Sequence, residues 1–260
     1  MRKKSRIGIA IATYNRAKFL SRSLDKYLIE ATKRNCPEIE LYILDDDSTD
    51  ETLDVINRYK KMAPEKLLVN VETLKKNGEW RDSASIINIA IDKLAHCDII
   101  IATHPEILIG ETTLQTIAIY CEMGIDYYYS AKPFFLNVED QKILDNYNWR
   151  NKITSILDID GYLDRPKMLG YPDYSPKMQL MRNEWESWVF GGMSSNLWQK
   201  IGGLPKFTAW GSVDVVFREI RQRHNIQTLV LPNNGDFVIH QNHDDVMTIN
   251  GKNMRDEKKM

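Results

Sequence analysis

Three consecutive carboxylates, Asp45-Asp46-Asp47, follow directly on the short apolar run Ile39-Glu40-Leu41-Tyr42-Ile43-Leu44. Like charges packed this closely need cations, hydrogen-bond donors or water to settle them. They can therefore accept hydrogen bonds from a ligand or help hold a cation. A short apolar run bounded by turn formers reads as a buried strand. Open α/β sheets bind ligands outside the carboxyl ends of their strands, which is where this acidic loop would lie. Ser48, Thr49 and Asp50 are favoured N-cap types, and Glu51-Thr52-Leu53-Asp54-Val55-Ile56 starts a plausible helix. An acidic turn that only caps a helix is the competing reading.

The elements that would position this loop are written on either side of it. Arg6-Ile7-Gly8-Ile9-Ala10-Ile11-Ala12 reads as an earlier buried strand, ending in Thr13-Tyr14-Asn15-Arg16. Phe19, Leu20, Leu24, Tyr27 and Leu28 then recur at helical spacing. Strand, polar loop, helix, strand, acidic loop and helix make the opening of a βαβ unit, with both loops on one edge of a parallel sheet. This pairing, IAIATYNR followed by ELYILDDDSTDET, resembles the start of family 2 glycosyltransferases with the GT-A fold. A second set of motifs comes late: Phe190-Gly191-Gly192-Met193-Ser194-Ser195, Ile201-Gly202-Gly203, Trp210-Gly211-Ser212-Val213-Asp214, and Asp236-Phe237-Val238-Ile239-His240 before Gln241-Asn242-His243. Their order is similar to the C-terminal half of the β-1,4-galactosyltransferase-like GT-A enzymes. The likeness spans roughly residues 5–131 and 188–244.

The resemblance implies an α/β GT-A fold, a mostly parallel sheet with helices on both faces, and assigns roles on that basis. Tyr14 would stack on or beside a nucleobase, with the backbone of Ala12 and Thr13 against the same group. Asp46 would accept from the base or ribose, with Asp45 its neighbour. Arg81 is a candidate for the nucleotide side; the alternative is a solvated loop arginine. Relatives usually follow the central strand with an Asp-x-Asp-like metal element. Here that place reads Ala102-Thr103-His104-Pro105-Glu106, and His104 with Glu106 is still a legitimate N/O pair for Mn²⁺. His240 and His243 match positions where relatives complete the metal shell. The implied cofactor is Mn²⁺ or Mg²⁺; a turn whose proline merely ends the strand is the bland alternative. Gly191 and Gly192 would let the donor sugar or diphosphate approach the backbone, or would simply form a tight turn before a helix. Trp210 and Gly211 would shape the acceptor floor, and Asp214 would be the general base. Relatives carry an acidic residue just before that base, where this chain has Val213.

Bulk properties set the outer bounds. The 260 residues suit one large α/β domain, and 43% hydrophobic with 27% charged residues is ordinary for a soluble globular chain. With 35 basic and 36 acidic residues the net charge is -1, so no global field for nucleic acid exists. Cys36, Cys97 and Cys121 are scattered, without metal-finger spacing or a disulfide framework, and read as reduced thiols. Met1-Arg2-Lys3-Lys4 before an apolar run has the outline of a signal peptide. That run ends within about seven residues, with no small-residue cleavage site, so it reads as the first strand. No segment approaches the ~20 apolar residues that span a bilayer. The expectation is a cytoplasmic protein, with docking at the inner face of a membrane where lipid-linked acceptors reside.

Further along, Lys66 to Val71, Asp98 to Ala102 and Tyr127 to Ala131 read as strands, and Ser85 to Leu94 and Thr112 to Cys121 as helices. Four expected regions result. Residues 1–131 form the nucleotide-sugar half, 132–187 an insertion or acceptor-side loops, 188–244 the catalytic and acceptor half, and 245–260 a charged tail. The insertion holds Pro133, Pro166, Pro172 and Pro176 and little periodicity. The expected activity is transfer of a sugar from a nucleotide-diphospho-sugar donor, UDP-linked, to a saccharide or glycolipid acceptor, with inversion. A silent nucleotide-sugar- or carbohydrate-binding protein of the same fold is the alternative. A nucleotidyltransferase would need a glycine-rich basic loop after the first strand, and Thr13-Tyr14-Asn15-Arg16 is not one.

Overall fold

The computed structural model describes residues 5–75, 81–136, 141–142, 144–145, 190–206, 213–231, 236–242, 248–249 and 252–253. Its first half alternates strand and helix: β1 (Arg6–Thr13), α1 (Ala17–Thr32), β2 (Glu38–Asp45), α2 (Thr52–Met62), β3 (Leu67–Thr73), α3 (Ser83–Lys93), β4 (Ile99–Thr103), β5 (Ile107–Ile109) and α4 (Thr113–Glu122). There follow β6 (Tyr128–Ser130), β7 (Lys132–Phe135), β8 (Phe190–Ser194), α5 (Ser195–Ile201), α6 (Val213–Arg223), β9 (Thr228–Val230), β10 (Phe237–His240), β11 (Thr248–Ile249) and β12 (Lys252–Asn253). The main sheet runs β3-β2-β1-β4-β8-β6-β9. β3, β2, β1 and β4 are mutually parallel, while β8 enters antiparallel to β4 and β6.

β1 shows how the sequence divides the two faces. Ile7, Ile9 and Ile11 are fully buried on one side, among Leu20, Leu24 and Tyr27 of α1 and Val55, Ile56 and Tyr59 of α2. Each such aliphatic side chain contributes roughly 1.5–3 kcal/mol of burial. The alternate positions Gly8, Ala10 and Ala12 are small, and α3 packs on that side. A Cβ on Gly8 would stand 3.1 Å from both Leu94 Cβ and Cys97 Sγ. That spacing explains why the tightly covered face of β1 carries no bulk. Trp198 of α5 stacks on Phe217 of α6 at 5.6 Å to complete the same layer.

Two regions depart from the sequence reading. Residues 132–187 read as irregular, yet Lys132–Phe135 is β7, parallel to β10 in a second sheet ordered β5-β10-β7. Its pairing is long-range, so local periodicity could not signal it. Within 245–260, read as a charged tail, Thr248–Ile249 pairs antiparallel with Lys252–Asn253. The rest of the 132–187 stretch, apart from 136, 141–142 and 144–145, lies outside the described residues, as does the run from Arg255 to Met260.

Candidate active site

Parallel pairing brings the two early loops to one edge. Thr13 is opposite Asp45, and Ile11 is opposite Thr103, so β1, β2 and β4 end side by side. The loops are then laced together. Asp46 N donates to Thr13 O at 2.8 Å. Asn15 Oδ1 accepts from Thr49 N at 2.8 Å and Asp50 N at 3.3 Å, while Asn15 N donates to Ser48 Oγ at 2.9 Å. Asn15 and Asp47 both adopt left-handed backbone, φ 50 and φ 64, a region that Asn and Asp tolerate better than most residues.

This lacing revises the capping expectation. α2 starts at Thr52, and its N-cap Glu51 makes no side-chain cap bond. Asp50 serves two helices instead: Oδ1 accepts from Thr52 N at 3.0 Å and Oδ2 from Ala17 N at 3.2 Å. Ser48 braces the first loop. The polar run after the carboxylates therefore joins α1 to α2 across the site, which a reading confined to one helix could not anticipate.

Asp45 and Asp46 are buried, at 0% and 4% exposure. Asp45 Oδ2 accepts from Ser48 N at 3.1 Å. Asp46 is paired with Arg81, Nε to Oδ1 3.0 Å, and Arg81 Nη2 also reaches the carbonyls of Leu74 and Lys75 at 3.0 and 2.5 Å. Arg81 is thus no solvated loop arginine. It arrives just before α3, whose start is held by Asp82 accepting from Ala84 N and Ser85 N. Tyr14 stands exposed at the same edge, 44% accessible, and Ala12 and Thr13 are the last residues of β1 beneath it.

The turn after β4 is anchored differently. Glu106, 6% exposed, pairs with Arg16 Nε at 2.9 Å. Ser23 Oγ of α1 donates to Pro105 O at 2.7 Å. Gln241, fully buried, donates from N and Nε2 to Glu106 O at 3.2 and 3.1 Å and from Nε2 to Phe19 O at 3.2 Å; its Oε1 accepts from Arg22 Nη1 at 3.0 Å. Gln241 was not singled out by the sequence reading; its place beside the late histidine motif was the only available signal. β10 pairs antiparallel with β5, putting His240 opposite Ile107, next to Glu106. His240 Nδ1 lies 2.9 Å from Gln241 O. A carbonyl can only accept, so Nδ1 carries the proton and the lone pair of the neutral ring sits on Nε2.

His104 and Glu106 therefore share one turn, with His240 across the β5–β10 pair from it, and their oxygen and imidazole donors suit a cation such as Mn²⁺. They do not form a closed trio: among the described residues, the three-member group with ligand atoms within 4.8 Å of one another is a different one, Glu40, His96 and Cys97. The Glu106 carboxylate is already paired with Arg16 through Oε1. His243, Trp210 and Gly211 lie outside the described residues; Asp214 is the second residue of α6, described in backbone only.

Gly191 and Gly192 do not make a turn before a helix. Both lie inside β8, opposite Ala102 and Ile101 of β4. A Cβ on Gly191 would collide with the Tyr128 hydroxyl, and one on Gly192 would stand 2.6 Å from Ile100 O. Close packing of strands accounts for both glycines.

Residues 8–89 match the family model of Glycosyl transferase family 2. An uncharacterized glycosyltransferase of Nostoc sp. is 37% identical over 62 residues, 24% of this chain and 18% of that protein. Among solved structures, S. aureus TarS in complex with UDP-GlcNAc aligns with TM-score 0.60 at 17% identity, over 96% of this chain and 60% of that one. The mannosyltransferase PcManGT from Pyrobaculum calidifontis, in complex with GDP-Man and Mn²⁺, aligns with TM-score 0.58 at 16% identity, over 94% of this chain and 59% of that one. The chain thus spans less than two thirds of these proteins' lengths. Among its described residues no helix is long and apolar enough to cross a membrane. The chain has the GT-A fold, and its segment 8–89 carries the match to family 2 glycosyltransferases.

Proposed function

We propose that this chain is a glycosyltransferase that moves a sugar from a UDP-linked donor to a saccharide or lipid-linked saccharide, with inversion. The observation that carries the reading is the laced shelf of Thr13, Tyr14, Asp45, Asp46 and Arg81, set beside the His104-Pro105-Glu106 turn on one sheet edge. Relatives of the same fold are seen with UDP-GlcNAc and with GDP-Man and Mn²⁺, which supports a nucleotide-sugar on this edge.

In the proposed reaction, Tyr14 offers a ring face to the base, and Asp46 accepts from base or ribose. Arg81 holds the Asp46 carboxylate in place. Asp214 takes the proton of the acceptor hydroxyl as its oxygen bonds to the anomeric carbon. The bond from that carbon to the diphosphate breaks on the opposite side, and the nucleoside diphosphate leaves with the electron pair. A divalent ion held by Glu106 and His240, with His104 and His243 as further candidate ligands, would neutralise charge on that leaving group. Arg16 engages Oε1 of Glu106, so the ion would take the other oxygen or displace the arginine. The Arg16–Glu106 pair favours a second reading, a silent nucleotide-sugar binder in which that carboxylate is permanently committed.

Calorimetry with UDP and GDP, together with donor hydrolysis measured with and without Mn²⁺, tests both. Asp46→Ala should lower UDP affinity by roughly 1.5–3 kcal/mol, the cost of one charge-assisted hydrogen bond. Unchanged affinity in the folded variant removes the shelf as the nucleotide site. Tight UDP binding without hydrolysis or transfer under any metal selects the silent reading.

A further inference from the structure

Away from the nucleotide edge, three different donors converge at the opposite end of the sheet. Glu40 is the third residue of β2, five residues and therefore about 16 Å before Asp45. His96 and Cys97 occupy the turn between α3 and β4. His96 Nε2 lies 2.7 Å from Glu40 Oε2, and Cys97 Sγ lies 4.0 Å from the same oxygen. Glu40 and Cys97 are buried at 6% and 2% exposure, while the His96 side chain is 49% exposed.

We propose that Glu40, His96 and Cys97 bind a zinc ion that clasps β2 to the α3–β4 turn. Thiolate, imidazole and carboxylate together select zinc over hard cations such as Mg²⁺ or Ca²⁺. Zinc bonds of about 2.0–2.3 Å at tetrahedral angles set neighbouring ligand atoms about 3.3–3.6 Å apart. The two measured separations, 2.7 and 4.0 Å, bracket that value. The third pair, His96 with Cys97, lies within 4.8 Å, so shifts of about 1 Å would close the site around an ion of that size.

The surroundings are those of a built site. Asn70 Nδ2 donates to Glu40 Oε1 at 3.0 Å, which holds one carboxylate oxygen and leaves Oε2 facing the other two donors. Ligating carboxylates are usually held by an outer hydrogen-bond partner of this kind. Gly8 keeps room for the thiol, since a Cβ there would stand 3.1 Å from Cys97 Sγ. The turn is fixed from below by Arg6 N donating to Asp98 Oδ2 at 2.8 Å and Asp98 N to Arg6 O at 3.0 Å. Arg6, whose charge acts on Cys97, is itself paired with Glu38 at 2.8 Å. Half-exposed His96 supplies the entry path, and the open side admits water as the fourth ligand.

Titration of the full chain with Co²⁺ tests the site, because cobalt in place of zinc reports thiolate ligation by a charge-transfer band in the near ultraviolet. One equivalent should produce the band, and Zn²⁺ should erase it. Cys97→Ala should abolish it, and His96→Ala should weaken cobalt binding by more than about 10-fold. Zn²⁺ should also raise the melting temperature of the native chain but not of His96→Ala, a half-exposed position whose truncation leaves the core intact. No band at stoichiometric cobalt, a band surviving Cys97→Ala, or an equal zinc shift in both proteins overturns the proposal. The His104-Pro105-Glu106 turn offers no thiol, so cobalt bound there gives no such band.

Discussion

The two halves of the candidate site are fixed by opposite means. The proposed nucleotide shelf is laced mainly by short bonds between Asn15, Ser48 and Asp50 and backbone amides, with two ion pairs, Arg81–Asp46 and Lys75–Asp47, beside it. The turn after β4 is clasped by long side chains at the N-cap and in the body of α1: Arg16 on Glu106, and Arg22 on Gln241, which bonds the turn. Short polar side chains on backbone lose little freedom when ordered, and they hold one geometry. Ion pairs through flexible arginines can exchange one charged partner for another. The shelf is therefore held in one geometry, while in the proposed reaction the turn would trade Arg16 for a different cation. A ligand that brings its own metal would meet a rigid half and a half that must rearrange.

The comparison breaks first at Asp214, which belongs to neither half. Its proposed work on the acceptor proton leaves donor binding alone. Asp214→Asn should lower turnover by about 10²–10⁴-fold, the usual range for a general base. UDP affinity, measured on the same sample, should stay as it was. Lost donor affinity would instead move Asp214 to the nucleotide or metal side.

On the shelf, Asn15→Ala removes an acceptor shared by Thr49 and Asp50 and puts alanine at φ 50. The cost should be roughly 1–3 kcal/mol of stability from lost hydrogen bonds and left-handed backbone. Asn15→Gly, which keeps the backbone freedom and loses only the bonds, should recover part of it. Chemical denaturation of the three proteins separates the two contributions; equal losses in both variants would show that the backbone conformation is not strained.

On the turn, Arg16→Ala asks whether the arginine competes with a metal or replaces it. If it competes, Glu106 is released and Mn²⁺ affinity by calorimetry rises, by about 10-fold for a gain of ~1.4 kcal/mol. If Arg16 is itself the cation facing the diphosphate, transfer collapses and added Mn²⁺ does not restore it. An unchanged Mn²⁺ affinity with normal transfer would remove Glu106 from the metal site altogether.

How much of this was legible follows the range of the interactions. β1, α1, β2 and the two polar loops were readable because apolar spacing and turn residues are local. The placement of Asp45 and Asp46 at the sheet edge followed from strand order alone. The tight-turn reading of Gly191 and Gly192 failed because their packing partners, Tyr128 and Ile100, are distant in sequence. Likewise, Gln241 gains its meaning from Phe19, Arg22 and Glu106. The same holds for Arg16: nothing in Thr13-Tyr14-Asn15-Arg16 signals a partner 90 residues away.

The smallest expected effect tests how far the charged bracing of α1 extends. Asp145 accepts from Lys18 at 2.6 Å, from Arg22 at 2.7 Å and from Gln141 at 2.9 Å. Burial opposes its ionisation, but the bonds from Lys18, Gln141 and Arg22 outweigh it and hold the carboxyl below its ordinary value. A carboxyl lowered on folding adds stability that is complete above its unfolded pKa of about 3.9 and is lost as pH falls through the folded value. The pairs are partly exposed, so the gain should stay within the ~0–1 kcal/mol typical of surface ion pairs. Melting temperatures of the native chain and Asp145→Asn, followed from neutral pH to about pH 3, should differ slightly near neutrality and converge in acid. A gap of constant size across that range would mean that Asp145 contributes through packing rather than charge. The ionic bracing of α1 would then end at Gln241 and the turn it holds.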